Sequence, residues 1–137
     1  MNNLKFRAWH KEQKRYYEVA TLDFYEEVVG LVLSLWGEPS YEPGIGYISA
    51  KTVVEVEYVL LDEVIIEQYT GLKDKNGKEI YVGDIVEYDF NNEAGVCKFD
   101  LFGVYFEQED GDTFGTTEDM LKELRVIGNI QENKELL

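Results

Sequence analysis

The stretch Gln68-Tyr-Thr-Gly-Leu-Lys-Asp-Lys-Asn-Gly-Lys-Glu-Ile-Tyr-Val-Gly-Asp-Ile-Val86 decides how this chain is read. It packs three turn signals between apolar runs. Asn76-Gly77 is the strongest, because a type I′ hairpin turn needs positive φ at both central residues, and Asn and Gly tolerate that best. Thr70-Gly71 reads as a second turn and Gly83-Asp84 as a third, directly before Ile85-Val86. Leu72, Ile80 and Tyr81 are positioned to anchor this excursion to a core. The Asp84 carboxylate and the Thr70 hydroxyl can accept hydrogen bonds from nearby backbone N–H groups. Thr70, Gly71, Asn76, Gly77, Gly83 and Asp84 are therefore expected to form a structural turn motif rather than a ligand site.

Downstream, the chain alternates. Val86, Tyr88 and Phe90 face one way, with Glu87 and Asp89 between them. After a turn over Asn91 to Gly95, Cys97, Phe99 and Leu101 share an apolar face, and past Gly103 another strand carries Val104 and Phe106. Glu107 to Asp112 is an acidic turn. Thr116 with Asp119 suggests a capping box for a short helix whose apolar face is Met120, Leu121 and Leu124. Val126 to Ile130 returns as a strand. Short strands at this spacing with one helical turn predict a small SH3-like β-barrel over residues 68–137.

Upstream, Leu4, Phe6 and Ala8 alternate with Lys5, Arg7 and Trp9, and Arg15 to Val19 can return to complete a hairpin. Leu22 to Trp36 fits a helical face or a strand face. Its valines and Gly30 tilt it toward strand. Gly37 to Ala50, with Pro39 and Pro43, reads as loop, and Val54, Val56 and Tyr58 as strand. Residues 1–67 are thus a β-rich extension of hairpin and sheet, separate from the barrel or continuous with it. The chain as a whole is mainly β with a minor helical part. Ten Tyr, seven Phe and two Trp agree, since aromatic side chains suit a pleated, half-buried surface.

The net charge is −15 over 137 residues. Residues 1–15 hold five basic side chains against Glu12, a net +4, so the remainder carries −19. Such a body repels nucleic-acid backbones within a Debye length. Cys97 is the sole cysteine, so no intrachain disulfide forms. The first residues lack the apolar run of a signal peptide, and Val28 to Trp36 is too short to span a bilayer. A cytoplasmic protein away from the membrane is expected.

No set of residues announces catalysis. His10 is the lone histidine and belongs to a hairpin turn, so zinc would need carboxylate ligands at spacings that do not occur. Cys97 reads as a buried, inert thiol. Asp110, Asp112 and Glu118 lack the spacing of a calcium loop. The glycines of the central stretch lack the Lys-Ser/Thr of a phosphate loop. No catalytic, cofactor or metal residues are assigned. One constellation could meet a partner: Arg7, Trp9, Arg15, Tyr69, Lys73, Lys75, Lys78 and Tyr81, basic and aromatic together, as single-stranded nucleic acid requires.

Three blocks carry a family signature. They are Lys5-Phe6-Arg7-Ala8-Trp9; Gln68 through Asp74 with Gly77, Glu79-Ile80-Tyr81 and Gly83-Asp84-Ile85-Val86; and Ile127-Gly128-Asn129-Ile130 with Glu132-Asn133 and Glu135-Leu136-Leu137. In order and spacing they resemble the YopX family of bacteriophages and prophages. His10 stands where that family more often has an acidic residue, and Lys134 where it often has Pro. The resemblance implies a phage or prophage origin and a mostly β fold, and it brings no catalytic residues with it. The expected function is a non-catalytic module binding a host or phage protein, including mimicry of DNA by its acidic surface. The alternative is a barrel that binds single-stranded nucleic acid through the local patch. Edge strands and tyrosines also allow a homo-oligomer.

Overall fold

The structure, a computed structural model, describes residues 4–36, 40–44, 46–48, 52–88 and 93–137. The fold is mainly β, with one four-residue α-helix and antiparallel sheets. The chain divides into two compact units, Phe6–Ile66 and Glu67–Leu137, the latter together with Leu4 and Lys5.

In the N-terminal unit, β1 (Phe6–His10) pairs with β2 (Arg15–Asp23), and β2 with β3 (Val28–Trp36). Leu22 to Trp36 is therefore strand on both sides of a turn. That turn has no Gly, Pro or Asn. It is held by Asp23, whose Oδ1 accepts from the N–H groups of Tyr25 and Glu26 at 3.0 Å, while Glu27 takes φ 57°. β4 (Ser40–Glu42) and β5 (Gly46–Ile48) form a small hairpin inside the segment expected to be loop. Pro43 sits in the connection between them, and Pro39 lies outside the described residues. β6 (Thr52–Leu60) pairs with β3, and a 3₁₀ turn at Leu61–Glu63 leads into β7 (Val64–Lys73). The strand order is β6-β3-β2-β1, followed by β7. Ala8, Val29, Leu31 and Val64 make the core. Gly30 lies against Thr21: a Cβ there would collide with the Thr21 hydroxyl first, then meet Val56 Cγ1 at 3.0 Å and the Tyr58 ring at 3.3 Å, so the neighbouring side chains occupy the place of the missing one.

In the C-terminal unit, the second part of β7 pairs with β8 (Glu79–Tyr81). β9 (Asp84–Tyr88), β10 (Ala94–Asp100), β11 (Gly103–Glu107), β12 (Thr113–Gly115) and β13 (Leu124–Asn129) form a five-stranded sheet in the order β12-β11-β10-β9-β13. The order is open, with β12 and β13 at its ends, and no closed barrel is found among the described residues. Ile80, Val86, Tyr88, Cys97, Phe106 and Leu124 form the core. The helix α1 (Glu118–Leu121) is capped by Thr117, one residue after the expected Thr116, through a bond from Met120 N–H. Leu124 belongs to β13 rather than to the helix. Ala94 and Gly95 belong to β10 rather than to a turn, whereas Phe90, Asn91 and Asn92 lie outside the described residues. The absence of a side chain at Gly95 admits the Phe114 ring, which would stand 3.0 Å from a Cβ.

The central stretch departs from its expected geometry twice. Thr70-Gly71 is a bulge within β7, not a turn. Tyr69 pairs with Tyr81 and Lys73 with Glu79, so Thr70, Gly71 and Leu72 stand opposite Ile80 alone. Gly71 takes φ 84°. The Thr70 hydroxyl donates to the Ile80 carbonyl at 2.7 Å and accepts from Leu72 N–H at 3.1 Å. At Asn76-Gly77 only Gly77 has positive φ, at 80°, so the turn is not type I′. Gly77 N–H bonds to the Asp74 carbonyl and Asp74 N–H to the Lys78 carbonyl, the pattern of a type I turn followed by a glycine bulge. Asp74 selects it, because its Oδ1 accepts from both Asn76 and Lys78 N–H at 2.9 Å.

Candidate functional site

The turn motif is built around buried carboxylates. Asp74 is 7% exposed, and its Oδ2 accepts from Val126 N–H at 2.9 Å, tying the β7–β8 hairpin to β13. Asp84 is 2% exposed and accepts from Tyr81 N–H at 2.8 Å. Gly83, at φ 97°, passes so close to the buried Glu67 that a Cβ would lie 2.8 Å from its carboxyl carbon. Gly83 also donates to the Cys97 carbonyl and accepts from Ile130 N–H. The Asp74 carboxylate accepts three backbone N–H groups and Asp84 Oδ2 accepts one.

The basic and aromatic candidates are divided between the units. In the N-terminal unit, Arg7 lies over the Tyr16 ring at 4.4 Å and Arg15 over the Tyr17 ring at 4.7 Å. Trp9 is buried and meets Tyr16 edge-on at 5.0 Å. Both guanidinium groups thus already have aromatic partners, each a modest cation–π contact. In the C-terminal unit, Tyr69 and Tyr81 pair across β7 and β8 with ring centroids 5.5 Å apart. Lys5 sits over Tyr69 and forms a 2.7 Å ion pair with Glu79. That hydrogen bond holds its ammonium above the ordinary lysine value. Lys73, Lys75 and Lys78 are exposed along the β7–β8 hairpin.

His10 is buried at the end of β1, where Nδ1 accepts from Gln13 N–H at 3.1 Å and the ring meets Tyr17 edge-on. It closes the hairpin turn. Cys97 is fully buried in the core of the other unit. Among the described residues, no three His, Cys, Asp or Glu side chains gather as a metal site would require, and no helix is long and apolar enough to cross a membrane.

Sequence reasoning missed a different feature. Phe99 and Leu101 do not share the buried face of Cys97. Phe99 is 64% exposed, Leu101 99% and the neighbouring Phe102 97%. The strands β10 and β11 run past the core, so their alternation continues after there is nothing left to pack against. Asp100 pairs with Gly103, leaving Leu101 and Phe102 as the whole tip. Asp100 Oδ1 accepts from Phe102 N–H at 2.8 Å, and Gly103 takes φ 112°. The sequence Asp100-Leu101-Phe102-Gly103 held this signal, an Asp-initiated turn ending in glycine with bulky apolar residues at its centre. An open hollow of about 380 Å³ lies beside it, lined by Phe102, Val104 and Tyr105 with Asp100 and Glu107.

The stretch from the tip through α1 is anionic in composition. Residues 100–121 contain seven Asp and Glu and no Lys or Arg. Glu107 pairs with Lys98 at 3.0 Å, and Asp119 lies 3.8 Å from Lys122. Glu109, Asp110, Asp112 and Glu118 are exposed, with no ion pair among the described residues. The apolar tip and the acidic β11–β12 turn stand at opposite ends of β11.

The class is settled by comparison with known proteins. The family model for the YopX protein matches residues 5–137, and the chain belongs to the YopX family. It is similar to the crystal structure of protein EF1440 from Enterococcus faecalis, with 29% identity, a TM-score of 0.68, and coverage of 100% of this chain and 99% of that one. A comparison with curated proteins gives no match.

Proposed function

We propose that this chain is a non-catalytic interaction module that binds a cationic protein through the acidic surface of its C-terminal unit. The observation that carries the reading is the set of exposed carboxylates Glu109, Asp110, Asp112 and Glu118, in a stretch 100–121 without a single Lys or Arg. Such a surface accelerates encounter with a positive partner and rejects nucleic acid. The phage or prophage origin implied by the family resemblance makes the partner a host or phage protein of the cytoplasm. A protein that normally holds DNA is the natural target, since carboxylates in a row offer it what phosphates do. The strand order β12-β11-β10-β9-β13, with a helical turn before the last strand and that strand returning to β9, supports a small SH3-like barrel as the scaffold.

The test is capture from a lysate of the bacterium that carries the gene, repeated at rising salt and with competing duplex DNA. Basic proteins should be retained at low salt, lost as salt rises and displaced by DNA. Retention of nothing at low salt would sink the reading.

A second reading rests on Lys73 and Lys78, which stand exposed on the hairpin that also carries Tyr69 and Tyr81. These could stack and neutralise a single strand. Gel shifts with single-stranded RNA and DNA at low salt decide it, and no shift at micromolar protein ends it.

A further inference from the structure

We propose that a hollow on the N-terminal sheet, on the face turned away from its core, seats an arginine side chain of a partner protein beside Phe24 and Tyr58 and the carboxylates of Asp23 and Glu26. The strand register assembles it. Thr21, Gly30 and Tyr58 lie in one row across β2, β3 and β6, and Asp23, Val28 and Leu60 in the next. Val29 and Leu31 belong to the core, so the alternate residues Val28 and Gly30 take the opposite face. The turn after β2 brings Phe24 and Glu26 to the same end of the sheet. Thr21, Asp23, Phe24, Glu26, Val28 and Tyr58 all line one open hollow of about 650 Å³. These residues fall within the single unit Phe6–Ile66, and the site does not depend on the acidic surface of the C-terminal unit.

The lining selects the occupant. Phe24 is 69% and Tyr58 65% exposed, and among the described residues no cation lies over either ring. Asp23 Oδ1 is held by the N–H groups of Tyr25 and Glu26, which leaves Oδ2 for a further donor. Glu26 is exposed and makes no ion pair among the described residues. Residues 16–50 hold six Asp and Glu and no Lys or Arg. Rings and carboxylates around one hollow favour a cation, and a guanidinium can stack on an aromatic face while its N–H groups reach a carboxylate. The same sheet makes the stacking contact twice with its own side chains, Arg7 over Tyr16 at 4.4 Å and Arg15 over Tyr17 at 4.7 Å. Phe24 and Tyr58 offer that surface to an arginine from outside the chain. Nucleic acid or an anionic membrane would be repelled by the carboxylates.

The experiment titrates the isotope-labelled full chain at low salt with acetyl-Gly-Arg-Gly-amide and with its citrulline and lysine counterparts, following amide NMR shifts. Citrulline keeps the shape of arginine without its charge. The expected result is saturable shifts centred on Thr21 to Val28 and Tyr58, a dissociation constant on the order of millimolar, and at least ~5-fold weaker binding of the citrulline peptide, with lysine between the two. Phe24→Leu/Tyr58→Leu leaves the net charge unchanged and Glu26→Gln leaves the rings, and each should weaken the arginine peptide at least ~3-fold. All three side chains are exposed, so the amide spectra should show both variants folded. Shifts scattered over the surface, a citrulline peptide that binds as well as arginine, or wild-type affinity in Phe24→Leu/Tyr58→Leu overturns the proposal. Free arginine binding more tightly than the peptide also overturns it, by making the occupant a small molecule.

Discussion

Carboxylates do opposite things in two regions of the C-terminal unit. In the central stretch, Asp74 and Asp84 are buried and accept backbone N–H groups, and buried Glu67 lies against Gly83. Over residues 100–121 the carboxylates are mostly exposed, and several have no cation near them among the described residues. Residue type is the same, and burial separates the roles. The first set holds the β7–β8 hairpin against its neighbours, while the second remains available to something outside the chain. Net charge alone would have credited both to the surface.

The largest effect expected from breaking this contrast is at Asp74. Asp74→Ala leaves three N–H groups without their carboxylate and should cost about 3 kcal/mol of stability. Urea unfolding measures it, and a loss under about 0.5 kcal/mol would place Asp74 with the surface carboxylates. Gly83→Ala comes next, at about 2 kcal/mol, because φ 97° strains any L side chain and the new methyl meets the Glu67 carboxylate. Thermal melts at matched pH read this loss. The buried side also has a pH signature. Burial pushes the Tyr88 phenol up to about 12, from an ordinary value near 10. The folded state therefore holds that proton more tightly. The stabilisation is complete below about pH 10 and is lost as pH rises through about 12. Absorbance at 295 nm should show one tyrosine titrating late, and Tyr88→Phe should remove that step. The smallest effect belongs to the surface set, where Glu109→Gln/Asp110→Asn/Asp112→Asn should leave stability within about 0.5 kcal/mol of wild type.

Much of the fold was legible because period-two alternation marks strands wherever one face is buried. It identified β1, β2, β6, β9, β10 and β11. It blurred at Leu22 to Trp36 because the intervening turn is made by an Asp side chain and a Glu at positive φ, with no Gly or Pro to announce it. Thr70-Gly71 misled because a glycine at positive φ serves a bulge as well as a turn. Asn76-Gly77 misled because the Asp74 carboxylate, two residues earlier, chose the turn type. The basic patch was legible as residue types but not as partners: Arg7 and Arg15 stack on Tyr16 and Tyr17. The exposed tip was hidden because alternation reports which side a residue takes, not where the core ends. Phe99 and Leu101 continue a pattern whose packing stops before them.

The most direct test of the account is the salt dependence of binding to the captured partner, compared between the wild type and Glu109→Gln/Asp110→Asn/Asp112→Asn. Affinity should fall steeply and linearly with log salt for the wild type, and the triple variant should bind more weakly with a shallower slope while remaining as stable. An affinity indifferent to salt, or equal in the two proteins, would contradict the claim that the exposed carboxylates are the working surface.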